Sequence, residues 1–156
     1  MKRFPIALIC ILPILSLLAG CGGFNNVPPG DVSPQAQGAV RAAYSQMGKP
    51  YRIGGASPRQ GFDCSGLIYW AYGKNGVKVP RITKDQLRAG HGVSKDAPLP
   101  GDIVVFRIGR RTLHTGLYAG GNAFIHAPRK GSKVRMESLS SPYWSDKLIS
   151  IRRISG

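Results

Sequence analysis

Acidic residues are scarce in this sequence, and positive charge is correspondingly in excess. The chain contains 7 Asp and Glu against 22 Lys and Arg, which gives a formal net charge of +15 over 156 residues. An excess of this size attracts anionic surfaces over long distances. Because the chain carries an export signal, described next, we expect cell-wall polymers or lipid head groups as anionic partners, and no nucleic acid. A basic surface without a partner is the alternative.

The main apolar run is too short to form a comfortable membrane-spanning helix. It extends from Phe4 to Leu18 and contains two prolines, whereas a spanning helix needs roughly 20 apolar residues. Lys2 and Arg3 precede it, and a positive start followed by a short apolar run is typical of an export signal. We interpret residues 1–20 as a signal peptide. Its removal takes away Lys2 and Arg3 and lowers the net charge from +15 to +13.

The signal ends in Leu18-Ala19-Gly20-Cys21, which resembles the lipobox of bacterial lipoproteins. The resemblance implies cleavage before Cys21, a diacylglycerol on its sulfur and an acyl group on the new amino terminus, which together form a stable anchor. The residue after Cys21 is Gly22 and not Asp, as in lipoproteins that are sent to the outer membrane. We therefore expect a protein anchored by lipid at the periplasmic face of the envelope, with residues 21–33 as a flexible tether. An ordinary signal peptide is the alternative.

Cysteine is also scarce, with three residues in the chain. If Cys10 leaves with the signal and Cys21 carries lipid, Cys64 is the only thiol that remains. Exported proteins usually use cysteine in disulfides, and Cys64 has no partner of this kind in the sequence. Such a thiol is either a small buried hydrophobe or chemically active.

The remaining thiol lies at the start of a predicted helix. Asp63 favours the N-cap position, and Gly73 or Gly76 would end the helix. The backbone N–H groups of a first helical turn have no partner within the helix, and they stabilise nearby negative charge. An apolar face is formed at positions i, i+3, i+4 and i+7 by Cys64, Leu67, Ile68 and Ala71.

The remaining pattern predicts an α+β fold in one domain, residues 34–156. Residues 34–47 form a first amphipathic helix, and residues 83–90 form a helical turn or two. His91 follows in a polar loop and is given no catalytic role. Apolar alternation then predicts strands, so we expect the N-terminal helices to pack on a curled, mostly antiparallel sheet of five to six strands. The predicted strands are residues 103–108, 112–119, 122–127, 133–139 and 148–154.

A glycine-rich hairpin decides whether two histidines meet. His114 and His126 lie in adjacent predicted strands that are joined by Ala119-Gly120-Gly121-Asn122. A two-residue loop would send the two imidazoles to opposite faces of the sheet. A loop with an odd number of residues would pair Tyr118 with Asn122 and place His114 directly opposite His126, with about 5 Å between their Cβ atoms. We predict the odd loop.

One thiol and two histidines on the same face make nucleophilic catalysis possible. A neighbouring imidazole and a helix N-terminus activate a thiol. His114 would be the base, His126 would orient it through its far ring nitrogen, and the backbone N–H of Cys64 would stabilise an oxyanion. The carboxylate of Asp63 should raise the pKa of the thiol unless it is turned into the backbone as a cap.

Short motifs in a characteristic order and spacing resemble the NlpC-type cell-wall cysteine peptidases over residues 34–153. The resemblance implies a papain-like α+β core and hydrolysis of peptidoglycan stem peptides, usually between D-γ-glutamate and meso-diaminopimelate. It implies a catalytic triad of Cys64 as nucleophile, His114 as base and His126 as the orienting third member. It also implies that Tyr51, Asp63 and Ser65 contact the substrate or the oxyanion. The matching segments are residues 51–55, 61–67, 79–81, 99–102, 114–118 and 124–127.

The leading hypothesis is therefore a cysteine endopeptidase that acts on peptidoglycan and is attached to the membrane by its N-terminal lipid. We expect a monomer, with no cofactor and no metal ion. An amidase or acyltransferase with the same fold is one alternative. A non-catalytic wall-binding lipoprotein is the other, favoured by the positive charge.

Overall fold

The computed structural model describes residues 32–155 of the chain. The predicted signal peptide, the predicted lipidation site Cys21 and all but the last two residues of the predicted tether lie outside this range. None of the helices within residues 32–155 is both long and apolar enough to cross a membrane. The helices are α1 (Pro34–Tyr44), α2 (Cys64–Gly73), α3 (Thr83–Gln86) and α4 (Pro142–Ser145). The strands are β1 (Ala56–Ser57), β2 (Gly61–Phe62), β3 (His91–Val93), β4 (Ile103–Arg107), β5 (Leu113–Gly120), β6 (Ala123–His126), β7 (Arg135–Ser138) and β8 (Leu148–Arg153).

Helix α1 packs directly against α2. The Ser33 hydroxyl caps α1 by accepting a hydrogen bond from the Ala36 N–H at 3.1 Å. The helix ends at Tyr44, three residues before the predicted end, because the following residues form turns with i to i+3 bonds. Gly38 permits the close approach, since a Cβ atom there would lie 1.9 Å from the Asn75 side chain just beyond the end of α2.

Six strands form one sheet in the order β3-β8-β4-β5-β6-β7, and every neighbouring pair is antiparallel. The five predicted strands are all present, with ends that differ by one or two residues. The prediction of a polar loop at His91 is wrong, because residues 91–93 pair with β8 as an edge strand. The three residues His91, Gly92 and Val93 are too few to show apolar alternation, so the sequence held no signal for this strand.

The prediction of an odd-numbered loop in the β5–β6 hairpin is wrong, and the register differs with it. Tyr118 pairs with Phe124, not with Asn122, and Gly120 pairs with Ala123 across a two-residue turn. Gly121 and Asn122 have φ angles of 56° and 61°, as in a type I′ turn. A bulge between Tyr118 and Gly120 supplies the extra residue that we had placed in the loop.

With this bulge, His114 and His126 still lie on the same face of the sheet, as predicted, but they are not directly opposite each other. Continuing the pairing of Tyr118 with Phe124 sets His126 level with Gly116, two residues along from His114. The two histidines are therefore diagonal neighbours on one face, so direct opposition is wrong. Diagonal neighbours are within reach of ring side chains.

The buried core is divided into two clusters. The first joins α1 and α2 to the sheet and includes Leu67, Ile68 and Ala71, as the helical spacing predicted. The second is largely aromatic and lies around Phe106, Phe124 and Trp144 of α4. These clusters fix the helix that carries the thiol and the strands that carry the histidines.

Candidate active site

The start of α2 has the cap that the sequence predicted. The Asp63 carboxylate accepts a hydrogen bond from the Gly66 N–H at 2.7 Å and a second from the Gly54 N–H at 2.9 Å. Cys64 is the first residue of the helix and is half-buried. Its own N–H group lies in the first turn, where no acceptor within the helix is available. The arrangement therefore offers a backbone donor beside the sulfur.

The loop of residues 51–61, which precedes the thiol and contains three glycines, packs tightly onto this helix start. A Cβ atom on Gly66 would lie 2.0 Å from the Gly55 carbonyl oxygen, and one on Gly55 would lie 2.5 Å from the Gly61 carbonyl oxygen. Real Cβ atoms do not approach other atoms this closely, so both positions require glycine.

Arg81 neutralises the carboxylate beside the thiol. Its Nη1 and Nη2 groups donate to the two oxygens of Asp63 at 3.0 and 2.8 Å, and Nη2 also donates to the Gly55 carbonyl. Burial raises the pKa of Asp63, but the hydrogen bonds from Arg81 and the Gly66 N–H outweigh it and hold that pKa below its ordinary value. The negative charge of Asp63 is thus matched by a guanidinium, which limits its effect on a thiolate.

Ser65 belongs to the same network. Its hydroxyl donates to Asp63 at 3.2 Å and accepts from Arg81 at 3.2 Å. We predicted Asp63 and Ser65 as substrate or oxyanion contacts. In the structure, their side chains form hydrogen bonds with each other and with Arg81 at the start of α2. Arg81 was part of a recognised motif but had no predicted role, because its contact with Asp63 spans 18 residues of sequence.

Tyr51, which the resemblance places at the cleft, lies close enough to Cys64 and Asp63 for their charges to act on its phenol. Burial raises the pKa of its phenol, and the negative charges of Cys64 and Asp63 raise it further. The phenol therefore remains protonated at neutral pH and retains a hydrogen to donate. Its backbone is fixed by a bond from the Tyr51 N–H to the Ser132 carbonyl at 2.9 Å.

Helix α3 provides the contact that the thiol makes in this structure. Cys64 Sγ lies 3.7 Å from Thr83 Oγ1, and among residues 32–155 the sulfur has no hydrogen bond to His114. The fully buried Gln86 holds α3 in place by donating to the carbonyls of Ser65 and Pro80 at 3.0 and 2.8 Å. The contact between the thiol and His114 that we expected is therefore not formed as a hydrogen bond here. Sequence reasoning assigned no role to Thr83 or Gln86.

The two histidines are joined directly, as their predicted roles require. His114 Nε2 and His126 Nδ1 are 2.8 Å apart, and both side chains are buried. His114 makes no other hydrogen bond to a described residue, so its Nδ1 atom is left for another group. The Trp144 ring stacks on His114 with 5.5 Å between centroids and an angle of 28°. Trp144 thereby fixes the plane of the imidazole.

Burial keeps both imidazoles neutral. It lowers the pKa of His114 to about 4. Burial lowers the pKa of His126 to about 2, with further contributions from His114 and the positive charge of Arg135. At neutral pH, His114 is therefore a proton acceptor rather than a standing imidazolium. Chemically, the site contains a thiol, a neutral imidazole with one ring nitrogen open to accept a proton, and a second imidazole bonded to the first.

Residues 32–155 include no cluster of three His, Cys, Asp or Glu side chains that could hold a metal ion, at this site or elsewhere. His91 is exposed on the edge strand β3.

Comparison with known proteins shows one consistent family. The sequence model described as the NlpC/P60 family matches residues 48–153, about two thirds of the chain. Among curated proteins, murein DD-endopeptidase MepH of Escherichia coli is 39% identical over 142 residues, which is 87% of this chain and 52% of that protein. The probable endopeptidase NlpC of Escherichia coli is 36% identical over 159 residues, 97% of this chain and 99% of that protein.

The fold shows the same relationship. A crystal structure of an NlpC/P60 family protein from Bacillus cereus superposes with a TM-score of 0.72 at 30% identity, covering 78% of this chain and 41% of that chain. This likeness confirms the predicted papain-like α+β class. The chain spans about half the length of the MepH protein that it matches.

Proposed function

The chain belongs to the NlpC/P60 family, and from this membership we propose that it is a cysteine endopeptidase that hydrolyses peptidoglycan stem peptides. The observation that carries the proposal is the buried 2.8 Å contact between His114 Nε2 and His126 Nδ1, on a chain whose described part has one free thiol.

The proposed reaction begins with proton transfer from Cys64 Sγ to His114 Nδ1. The sulfur leaves its contact with Thr83, approaches Nδ1 and attacks the carbonyl carbon of the peptide bond. Negative charge develops on the carbonyl oxygen, where the N–H of Cys64 and the N-terminus of α2 stabilise it. The tetrahedral adduct then collapses to a thioester as His114 returns the proton to the leaving amine.

Water completes the cycle. His114 Nδ1 takes a proton from water, the hydroxide attacks the thioester carbon, and Cys64 leaves and is reprotonated. Tyr51 supports these steps as a protonated phenol near the sulfur, in a position to donate to the substrate or the oxyanion. Arg81 keeps the Asp63 charge from opposing the thiolate that forms in each half of the reaction.

For the bond that is cut, we favour the one between D-γ-glutamate and meso-diaminopimelate. The motifs around Cys64 and His114, described above, support this choice. A second candidate is the D,D-crosslink between two stem peptides, because the related MepH protein is named a DD-endopeptidase. The two bonds give products of different mass from a crosslinked muropeptide, so one digest distinguishes them.

The test uses the full chain, purified in detergent and incubated with defined muropeptides. Mass spectrometry should find fragments cut after D-glutamate, and Cys64→Ala should abolish them. His91→Gln is the matched control, because His91 is exposed and lies outside the site, and it should retain activity. Equal product formation by the wild type and Cys64→Ala would refute the proposal. Wall binding without thiol-dependent turnover would select the non-catalytic alternative, and different product masses would reveal an amidase or acyltransferase.

We also propose attachment to the outer membrane through lipid on Cys21. The support is the sequence Leu18-Ala19-Gly20-Cys21 followed by Gly22. Incorporation of labelled palmitate into the wild type, and its loss in Cys21→Ser, would be the expected result after expression in a bacterial host. Membrane fractionation would then assign the anchored protein to the inner or outer membrane. Unlabelled wild-type protein would overturn the lipid anchor without affecting the peptidase proposal.

A further inference from the structure

One nitrogen in the histidine pair is buried without a hydrogen bond. His126 is fully buried, and its Nε2 atom has no hydrogen-bond partner in the described structure. Its other nitrogen, Nδ1, faces His114 Nε2 at 2.8 Å. A buried imidazole nitrogen without a partner is uncommon, because polar groups removed from water normally find one.

The direction of proton transfer from the thiol determines which ring nitrogen carries the hydrogen in His114 and in His126. For His114 Nδ1 to accept a proton from the thiol, the neutral ring must carry its hydrogen on Nε2. That hydrogen is donated to His126 Nδ1, which must then be bare. Neutral His126 consequently carries its hydrogen on Nε2, the atom that lacks a partner. The opposite tautomer of His126 would place a donor against His114 and would block the base.

The carboxylate that faces this hydrogen belongs to Glu137 of strand β7, the only glutamate in the sequence. Glu137 Oε1 lies 3.6 Å from His126 Nε2. This distance is longer than a hydrogen bond and too short to admit a bridging water. A closure of about half an ångström would complete a hydrogen bond between a neutral imidazole N–H and a carboxylate, a strong type of contact.

Two neighbours hold Glu137 in this position. The Arg135 guanidinium contacts Oε1, and the Trp144 indole N–H donates to Oε2. Trp144 also stacks on His114, so the same side chain contacts the base and the carboxylate. Glu137 is only partly exposed, with 22% of its side-chain surface accessible. The carboxylate is therefore held in place before any substrate arrives.

We propose that Glu137 is a positioning residue for this active site. It is the fourth member of a series of interacting side chains that begins with Cys64, His114 and His126. Its carboxylate fixes the tautomer of His126, and through it leaves His114 Nδ1 bare. Glu137 does not touch the substrate or the sulfur. This inference rests on the proposed thiol chemistry of Cys64 and His114, but its test does not require that peptidoglycan be the substrate.

The simpler interpretation is that Glu137 only satisfies Arg135 and Trp144. In that case its removal would lower stability and leave the imidazole tautomers unchanged. The two interpretations differ in a spectroscopic signature that a merely structural residue would not alter.

The experiment compares the full-length wild type with Glu137→Leu, which has no acceptor, and Glu137→Gln, which keeps an acceptor oxygen but no charge. Asp146→Asn is the matched control, since it removes an exposed carboxylate close to Trp144. Imidazole ¹⁵N chemical shifts report the tautomers, and the pH dependence of Cys64 alkylation by iodoacetamide reports the base. Thermal unfolding shows whether each variant is folded.

In the wild type and in Asp146→Asn, both rings should carry hydrogen on Nε2. In Glu137→Leu, His126 should become a mixture of tautomers, and the muropeptide kcat should fall about tenfold to a hundredfold with little change in KM, as for other partners that orient a functional histidine. Its midpoint for alkylation should move to higher pH. Glu137→Gln should recover part of each effect, because its amide oxygen still accepts.

Unchanged tautomers and an unchanged alkylation profile in folded Glu137→Leu would overturn the role of Glu137. If that variant does not fold, the same two measurements on Glu137→Gln decide: a shifted tautomer population or alkylation midpoint supports the role, and wild-type values overturn it. A wild type that shows the predicted tautomers and their dependence on Glu137, yet cleaves no muropeptide, would refute the proposed substrate alone.

Discussion

Arg81 donates hydrogen bonds to both carboxylate oxygens of Asp63, at 3.0 and 2.8 Å, immediately beside the thiol of Cys64. Such a bidentate pair is stronger and more directional than a single ion contact. It stabilises the N-cap of α2 and at the same time balances a charge that would oppose a thiolate. One arginine thus contributes to both the fold and the chemistry of the site.

Replacing Arg81 by methionine should reduce both stability and activity. The Asp63 carboxylate would lose its partner while it remains partly buried, and we expect a loss of about 1–3 kcal/mol in the free energy of unfolding. The unbalanced carboxylate should also slow alkylation of Cys64 near neutral pH, because its negative charge opposes the thiolate that reacts. Urea unfolding and alkylation rates measure the two effects. Arg88→Met removes an exposed charge from the neighbouring helical turn and should do neither.

Acid should destabilise the fold, because two buried histidines are neutral in it. Burial holds the pKa of His114 at about 4 and that of His126 at about 2, both below the value of about 6.5 in an unfolded chain. The unfolded state therefore binds more protons below pH 6.5, so this stability is complete above that pH and is lost as the pH falls towards each folded-state pKa. We expect a loss of about 1.4 kcal/mol per pH unit for each histidine, from below pH 6.5 down to about pH 4 for His114 and about pH 2 for His126.

Urea titrations at about pH 7 and about pH 5 would measure this loss. His126→Gln should show a smaller loss than the wild type, because one buried histidine is gone. His91→Gln, which changes an exposed histidine, should keep the wild-type slope. A pH-independent free energy of unfolding across this window would contradict the buried neutral pair.

Two glycines of the same helix should respond in opposite directions to alanine. In Gly66→Ala, the new Cβ would lie 2.0 Å from the Gly55 carbonyl oxygen, and the loop or the helix start must move at a cost of about 3 kcal/mol. In Gly73→Ala, the new Cβ meets nothing within 4 Å, and alanine should stabilise the last turn of α2 by about 0.5–1 kcal/mol. Denaturant midpoints test both, and equal shifts would refute the close approach at Gly66.

Thr83 should influence the reactivity of the thiol. Its hydroxyl lies 3.7 Å from Cys64 Sγ and can donate to a thiolate. Thr83→Val keeps the shape and removes the donor, so alkylation near neutral pH should slow about threefold, in line with the loss of one modest hydrogen bond. Thr83→Ser keeps the hydroxyl and should react like the wild type. A valine variant with the wild-type rate would show that the contact has no effect on the sulfur.

The parts of the site that could be predicted from sequence are those with local causes. The cap at Asp63, the place of Cys64 in a first helical turn and the shared face of the two histidines follow from spacing of a few residues. The exact strand register did not, because a bulge can supply the odd residue as well as a loop can. The local sequence pattern constrains which face of the sheet a side chain occupies, but it does not determine the register of the neighbouring strand.

The parts that could not be predicted depend on contacts between distant segments. Arg81 reaches Asp63, Thr83 reaches Cys64, and Trp144 reaches His114, each from an element with no periodic signal of this role. The role of Glu137 could not be predicted either, because a single acidic residue on a short strand usually has a solvated side chain. Only the packing of β7 beside β6 and the position of α4 bring it to His126.

The bulge in the β5–β6 hairpin has a consequence for how this part of the chain can change in length. If the pairing of Tyr118 with Phe124 is kept, one residue added to or removed from either strand between this pair and a histidine turns that histidine to the other face of the sheet and separates His126 from His114. A residue added at the turn, between Gly120 and Ala123, leaves the pairing and both imidazoles in place. Changes in length should therefore be tolerated at the tip of the hairpin and not within its two strands.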